Sequence, residues 1–209
     1  MLLCDIGNSS FSFYDDSDGS VKSYLVDEFD IDCVMQEVYY ICVNPRVSEL
    51  LKKHYLWHDI GVYVELDGAY DTLGIDRQVA VLGLEGDGVV VDAGSAITVD
   101  VVEKKRYQGG FIYPGFRAMQ KAFSQISSKL DYLLNFEVTL DKMATNSQDA
   151  ISYGSIAPII AEIKRLSEGK QLVITGGDGA IIAKHLKGSQ LRPNWIFDAM
   201  KKIINARKG

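Results

Sequence analysis

Two short stretches carry the residue types best suited to phosphate chemistry. Residues 2–15 read LLCDIGNSSFSFYD and residues 89–102 read VVVDAGSAITVDVV. Each is an apolar strand, an Asp, any residue, a Gly, a small polar residue and a second apolar strand. A tight turn of this form offers several backbone N–H groups in a concavity where glycine lets a ligand approach the main chain. A carboxylate beside phosphates needs a cation between them, so Asp5 and Asp92 imply a metal–phosphate ligand. Two such turns, one per half, can clamp a nucleoside triphosphate. Either copy alone reads equally as a hairpin whose Asp caps its own turn; the repetition favours phosphate.

Other chemistry is thinner. Thr175–Gly179 (TGGDG) follows an expected strand and precedes an expected helix, which suits packing of adenine or ribose against main chain at Gly176 and Gly177; it also reads as a plain β–α connection. GIDR, residues 74–77, opens a helix, and there Asp76 is either a reactive carboxylate or an acid favoured by the helix dipole with Arg77 as a surface partner. His54 and His58 stand four apart on an expected helix, yet HYLWH has no Glu after its first His and no third ligand, so it reads as a solvated face rather than a zinc site. The acidic turn DDSDGS at 15–20 fails as a calcium loop, because aligning Gly19 with the loop's sixth position leaves Tyr14 and Leu25 at ligand positions. No P-loop or Rossmann fingerprint occurs.

The elements that must position these residues follow from periodicity. MLLCDIG, SFSFYD and VKSYLV form an antiparallel meander. Helix, strand, helix and strand follow: DIDCVMQE, VYYICV, PRVSELLKKHYL and GVYVEL. GIDRQVAVLGLEG reads as a helix, after which the chain starts again with strands through GGFIYPG. Two long helical segments come next, then strand QLVIT, helix AIIAKHL, a short strand at Trp195 to Phe197 and a terminal helix. Phe123, Ile126, Leu130, Leu133 and Leu134 form a helical apolar stripe, either core or dimer interface. The repeat implies an α/β protein of two halves, residues 1–87 and 88–209.

Composition sets outer bounds. The chain has 209 residues, 47% hydrophobic and 24% charged, with net charge −6, which fits a folded globular protein and not a disordered tail. The acidic balance argues against a nucleic-acid scaffold, since KHLKGSQLR and MKKIINARKG near the C-terminus are the only basic-leaning runs, so bound phosphate must be held by local geometry. Cys4, Cys33 and Cys42 are odd in number, lack a C-x-x-C pair and fall in apolar contexts, so they read as reduced, buried thiols. No apolar run approaches the ~18 residues of a membrane helix, and Asp5 interrupts any signal-peptide core. The expectation is a cytoplasmic protein without membrane or nucleic-acid partners.

Six motifs, in order and across nearly the whole chain, carry a family resemblance: DIGNS at 5–9, GIDR at 74–77, VDAGSAITVD at 91–100, GGFIYPG at 109–115, TNSQDAISYG at 145–154 and ITGGDG at 174–179. Together they resemble the type III pantothenate kinases. The resemblance implies the actin-like ATPase fold, two ribonuclease-H-like halves with mixed sheets, commonly assembled as a homodimer. It implies ATP-dependent phosphorylation of pantothenate, the first step toward coenzyme A, with Mg2+ or another divalent ion and a monovalent cation, K+ or NH4+. By the same resemblance Asp76 is the general base, with Gly74, Ile75 and Arg77 shaping the substrate site, which Tyr70 and Ser147 also line. Asp5 would hold the divalent ion through water while Ile6, Gly7, Asn8, Ser9 and Ser10 meet the phosphates. Asp92 would ligate the monovalent cation, and Ser95, Gly176 and Gly177 would meet the nucleotide. Ser95 and Ser147 stand where threonine is usual, and the segment before GIDR, DGAYDTL, is short and lacks the usual proline. A non-catalytic regulator on the same scaffold is the alternative, or another small-molecule kinase or phosphatase of the superfamily; three carboxylates together favour the enzyme.

Overall fold

The computed structural model describes residues 1–208. The chain folds into two compact units, Met1–Glu85 with the segment from Asn194, and Gly86–Pro193.

In the first unit β1 (Leu2–Ile6), β2 (Ser10–Asp15) and β3 (Val21–Leu25) form the meander, and β4 (Val38–Cys42) and β5 (Trp57–Asp59) add in parallel on the other side of β1, giving the order β3-β2-β1-β4-β5. The second unit repeats this with β6 (Gly88–Ala93), β7 (Ala96–Glu103), β8 (Arg106–Pro114), β9 (Gln171–Thr175) and β10 (Gln190–Leu191), in the order β10-β9-β6-β7-β8. Here too the pairs around the hairpin are antiparallel and the two beyond β6 are parallel. Both sheets therefore have three antiparallel strands followed by two parallel ones, and the duplication read from the D-x-G turns is a duplication of topology.

The central strands are apolar on both faces because both are covered. On one face of the first sheet Cys4, Ile6 and Tyr40 pack with Val47 and Leu51 of α1 (Pro45–Leu51). On the other, Leu3 and Ile41 meet Val79 of α2 (Ile75–Leu82) and Phe197, Met200 and Ile204 of α6 (Trp195–Lys208). α6 belongs to this unit although it ends the chain, which corrects the single cut expected after residue 87. Its anchors explain why. Trp195 donates its indole N–H to the Ala80 carbonyl at 2.8 Å, Phe197 stacks on Tyr14 at 5.2 Å, and Lys201 pairs with Asp16 at 3.1 Å. Gly83 fits beneath Trp195 because a Cβ there would come within 2.8 Å of the indole. In the second unit Val89, Val91, Ile97 and Val99 pack against α3 (Phe116–Ile126) and the Ile151, Ile156, Ile159 and Ile163 face of α4 (Ser147–Leu166), while Ile182 of α5 (Gly179–Ala183) closes the cluster.

Several local expectations fail where the segment is short. DIDCVMQE makes only a 3-10 turn, Ile31–Cys33, where the Asp30 carboxylate accepts from the Asp32 N–H in place of a longer helix. The fifth strand is Trp57–Asp59, and GVYVEL begins instead with a 3-10 turn at Gly61–Tyr63. α1 ends at Leu51, so His54 lies in the following turn and His58 on β5. The zinc-like spacing therefore never shares one helix face. Trp195–Phe197 opens α6 rather than forming a strand. The apolar stripe is also divided, since α3 stops at Ile126 and Ser127 is extended. Leu134 is buried, whereas Ile126 and Leu133 are 71% and 72% exposed.

Candidate active site

Each unit ends its central strand in the same way. In the first, Asp5 sits opposite Ser12, and Gly7–Ser9 turns the chain, with the Gly7 N–H donating to the Ser10 carbonyl at 2.9 Å. In the second, Asp92 sits opposite Thr98, and Gly94–Ser95 make the turn, with the Gly94 N–H donating to the Ala96 carbonyl at 2.9 Å. The second turn is thus one residue shorter. Asp5 and Asp92 are half-buried, while Asn8, Ser9 and Ser95 are exposed. Ile6 is fully buried, so its side chain belongs to the core.

The second unit builds a close-packed corner around Asp92. Thr175 is the register partner of Asp92 in the parallel β6–β9 pair, so the strand end delivers Gly176 beside the carboxylate. Gly176 has φ +86, and a Cβ there would overlap the Ala93 carbonyl and the Asp92 Oδ1. The Asp178 N–H donates to the same Ala93 carbonyl at 2.9 Å. Gly115 lies against the Gly94 and Ser95 carbonyls with no room for a side chain, and its N–H donates to the Ser95 carbonyl at 3.2 Å. Asp92, Ser95 and Gly176 therefore share one corner, with Gly177 exposed beside it. The oxygens there, one carboxylate and several main-chain carbonyls, are hard donors of the kind that suit K+ or another s-block cation. Asp5 likewise offers a single carboxylate at the edge of a turn rich in N–H groups, which suits a divalent ion that keeps its waters and its phosphate ligands. Among the described residues no group of three or more His, Cys, Asp or Glu side chains is gathered as a metal cage.

GIDR is also organised from within its own unit. Gly74 precedes α2 in an extended conformation, and a Cβ on it would strike the Asp76 Oδ1. That oxygen accepts the Arg77 N–H at 2.8 Å, so the carboxylate is folded back over the first helical turn. Ile75 packs with the α2–α6 core and touches the space beside Gly61. Arg77 is buried to 7% exposure and donates from Nη1 to the Tyr70 hydroxyl at 3.0 Å, while Tyr70 itself is 47% exposed. Gln78 donates to the Leu73 carbonyl at 2.8 Å and fixes the approach to the helix. The structure thus brings Tyr70, Gly74, Ile75, Asp76 and Arg77 together around one helix start.

Ser147 is exposed at the first turn of α4. Asn146 caps this helix by accepting from the Asp149 N–H at 2.9 Å, and its own amide donates back to the Asp149 carboxylate at 2.7 Å. Asn135 also donates to Asp149 at 2.8 Å. The hydrogen bonds from Asn135 and then Asn146 hold the Asp149 carboxyl below its usual range. The hydroxyl of Ser147 is therefore presented on a firmly capped helix end. Two contributors to the Asp92 corner, Gly115 and the Asp178 N–H, escape the motif-based expectations, although the glycine closing GGFIYPG is a signal for close main-chain approach.

With this geometry in place, comparison with known proteins is specific. The model of the type III pantothenate kinase family matches residues 25–169. A type III pantothenate kinase of Sulfurimonas denitrificans is 43% identical over 206 residues, covering 98% of this chain and 97% of that protein. A crystal structure from Campylobacter jejuni, of a conserved protein bearing the name of a Baf family transcriptional activator, superposes with TM-score 0.91 at 39% identity, over 100% of this chain and 99% of that one. A Sinorhizobium meliloti protein named as a 2-dehydro-3-deoxygalactonokinase gives TM-score 0.56 at 12% identity over 98% of this chain and 96% of its own, a likeness of fold alone.

The corner at Asp92 generates a paired prediction. Gly176→Ala should lose about 2–4 kcal/mol, combining the left-handed backbone cost with overpacking. Gly177→Ala, with nothing within 4 Å of its would-be Cβ, should stay within about 0.5 kcal/mol of wild type. Chemical denaturation of both variants checks this, and equal losses would refute the packing account.

Proposed function

The chain belongs to the type III pantothenate kinase family, and we propose on that premise that it transfers the terminal phosphoryl group of ATP to the primary hydroxyl of pantothenate, giving 4'-phosphopantothenate and ADP at the entry to coenzyme A synthesis. The observation that carries this reading is the presence of both D-x-G strand ends and of GIDR in a chain 43% identical over nearly its whole length to a kinase of this name. The transcriptional-activator name of the Campylobacter jejuni structure is said of that protein, and the net charge of −6 argues against phosphate-backbone binding by this chain.

In this reading the protein aligns the reactants and neutralises charge. Backbone N–H groups at the tip of the Gly7–Ser10 turn would hold phosphate oxygens, and Asp5 would hold the divalent ion that neutralises them. Gly176 and Gly177 admit the nucleoside to the main chain, and the Ser95 hydroxyl meets the nucleotide. Bound cations offset the negative charge of the phosphates; Asp92 is the carboxylate that would hold the monovalent one. Arg77, buried and fixed by Tyr70, supports the pantothenate side within the first unit, and Ser147 is assigned to pantothenate by the family resemblance. As the pantothenate oxygen bonds to phosphorus and the bond to the ADP oxygen breaks, the hydroxyl proton passes to the Asp76 carboxylate. We place the enzyme in the cytoplasm, a reading supported by its three free cysteines, of which Cys4 alone is buried as expected while Cys42 is half-buried and Cys33 exposed; no helix among the described residues is long and apolar enough to cross a membrane.

Asp76→Asn keeps the shape of the site and removes the base. ATP binding and melting temperature should stay near wild type while kcat falls about 100-fold, roughly 3 kcal/mol in the barrier. The modest figure reflects a loose transition state that needs little proton removal before bond formation. A stable, ATP-binding variant with near-wild-type kcat would sink the assignment.

Asp92→Asn should blunt activation by K+ or NH4+ without abolishing nucleotide binding. Titrating each ion in a coupled ADP-release assay checks this, and an unchanged ion dependence removes Asp92 from that role.

We also propose that the working species is a homodimer. Ile126, Leu133 and Met143 of the second unit, each more than 70% exposed, offer the apolar surface that such an interface buries. Sedimentation should find dimers at assay concentration; a fully active monomer excludes this assembly.

A further inference from the structure

The turn proposed to hold phosphate is tied down by a residue outside every motif named above. Asn44 directly precedes Pro45, in an extended conformation with φ −92 and ψ 110, as the residue before proline prefers. Its Oδ1 accepts the Arg46 and Val47 N–H groups at 3.1 and 3.3 Å, which caps α1. With Oδ1 committed to two donors, the other end of the amide must be the NH2 group. That group donates to the Asn8 carbonyl at 3.4 Å.

The neighbouring bonds belong to the same tether. The Val43 N–H donates to the Ile6 carbonyl at 3.0 Å, closing β4 onto the end of β1. The Cys42 thiol donates to the Asn44 carbonyl at 3.2 Å. Inside the turn, the Ser9 carbonyl accepts from the Val26 N–H at 3.0 Å and that of Ser10 from the Gly7 N–H at 2.9 Å. The carbonyls of Asn8, Ser9 and Ser10 are thus all engaged by the protein. With those carbonyls engaged and the Gly7 N–H committed to Ser10, the main-chain groups that the tip of the turn offers a ligand are the Asn8 and Ser9 N–H donors, of the kind that bind anions.

We propose that Asn44 is a positioning residue for the nucleotide phosphates. Its amide couples the Asn8–Ser10 turn to the amino end of α1 and holds the turn's N–H groups where the phosphates bind, a role that rests on the kinase reading above. The residue type is specific. Ser or Asp caps a helix as well as Asn does, but an ionised Asp only accepts, and Ser carries its donor and acceptor on a single atom of a shorter side chain, so neither supplies Asn's separate acceptor for the helix and donor for the Asn8 carbonyl.

That difference separates the role from plain helix capping. Asn44→Ser and Asn44→Asp should melt close to wild type, whereas Asn44→Ala, which loses cap and tether together, should melt lower. With Mg2+ and a non-hydrolysable ATP analogue, Asn44→Ser should bind about 2–10-fold more weakly, the range of one net hydrogen bond, with the KM for pantothenate unchanged. In the nucleotide-free protein its Gly7 amide should exchange hydrogen several-fold faster than in wild type. An Asn44→Ser protein with wild-type analogue affinity and wild-type Gly7 exchange overturns the proposal. A wild-type chain that binds no nucleotide overturns the kinase reading itself, and the two failures are therefore distinct.

Discussion

The carboxyl end of one strand in each sheet is the constraint on which everything else depends. β1 and β6 each have an antiparallel neighbour on one side and a parallel neighbour on the other. The hairpin folds back tightly, and the parallel strand, reached through a crossover, ends alongside it. The sheet changes from antiparallel to parallel pairing at these strands, the place where open α/β sheets commonly bind ligands. Asp5 and Asp92 lie at those two ends. Because each strand is buried on both faces, neither Asp can shift without moving a core strand.

Close main-chain packing then decides which residues may stand around these ends. At the β6 end, the Asp92 carboxylate, the Ala93 carbonyl and Gly176 occupy one small volume. The glycine there answers two demands, a left-handed backbone and the lack of space for a methyl group. Gly74 answers a related demand at α2, since only without a Cβ can the Asp76 carboxylate fold back over its own helix. The same logic explains why Arg77 can be buried: its guanidinium has a fixed hydroxyl partner in Tyr70, and a buried charge needs such partners.

The one-residue difference between the two D-x-G turns shows how duplicated elements diverge in use. The shorter Gly94–Ser95 turn is pressed against Gly115 and approached by the β9–α5 connection. The longer Gly7–Ser9 turn is held instead through its carbonyls by Asn44, Val26 and Gly7 itself. Equal spacing from Asp to Gly in the sequence therefore does not mean equal surroundings. One turn is walled by main chain, the other is braced from behind.

The sequence by itself determined the α/β class, the meanders, the duplication and the residues at its two turns, because each rests on local signals: alternating strands, glycine turns and a repeated D-x-G offset. Helix starts at Pro45 and Ile75 were legible for the same reason, through proline, glycine and an acidic first turn. Tertiary structure alone decided the rest. DIDCVMQE and GVYVEL are too short for periodicity to settle, and the Asp30 and Asp59 carboxylates, each accepting an N–H two residues on, favour a tight turn at both places. Trp195–Phe197 has the composition of a strand, yet it became the start of α6 because its indole and phenyl groups find Ala80 and Tyr14. The indole's bond spans 115 residues of sequence, so no local pattern could reveal that the end of the chain completes the first unit. Asn44's bond to Asn8 is likewise set by the parallel pairing of β1 with β4, a long-range register that the sequence around either residue does not encode.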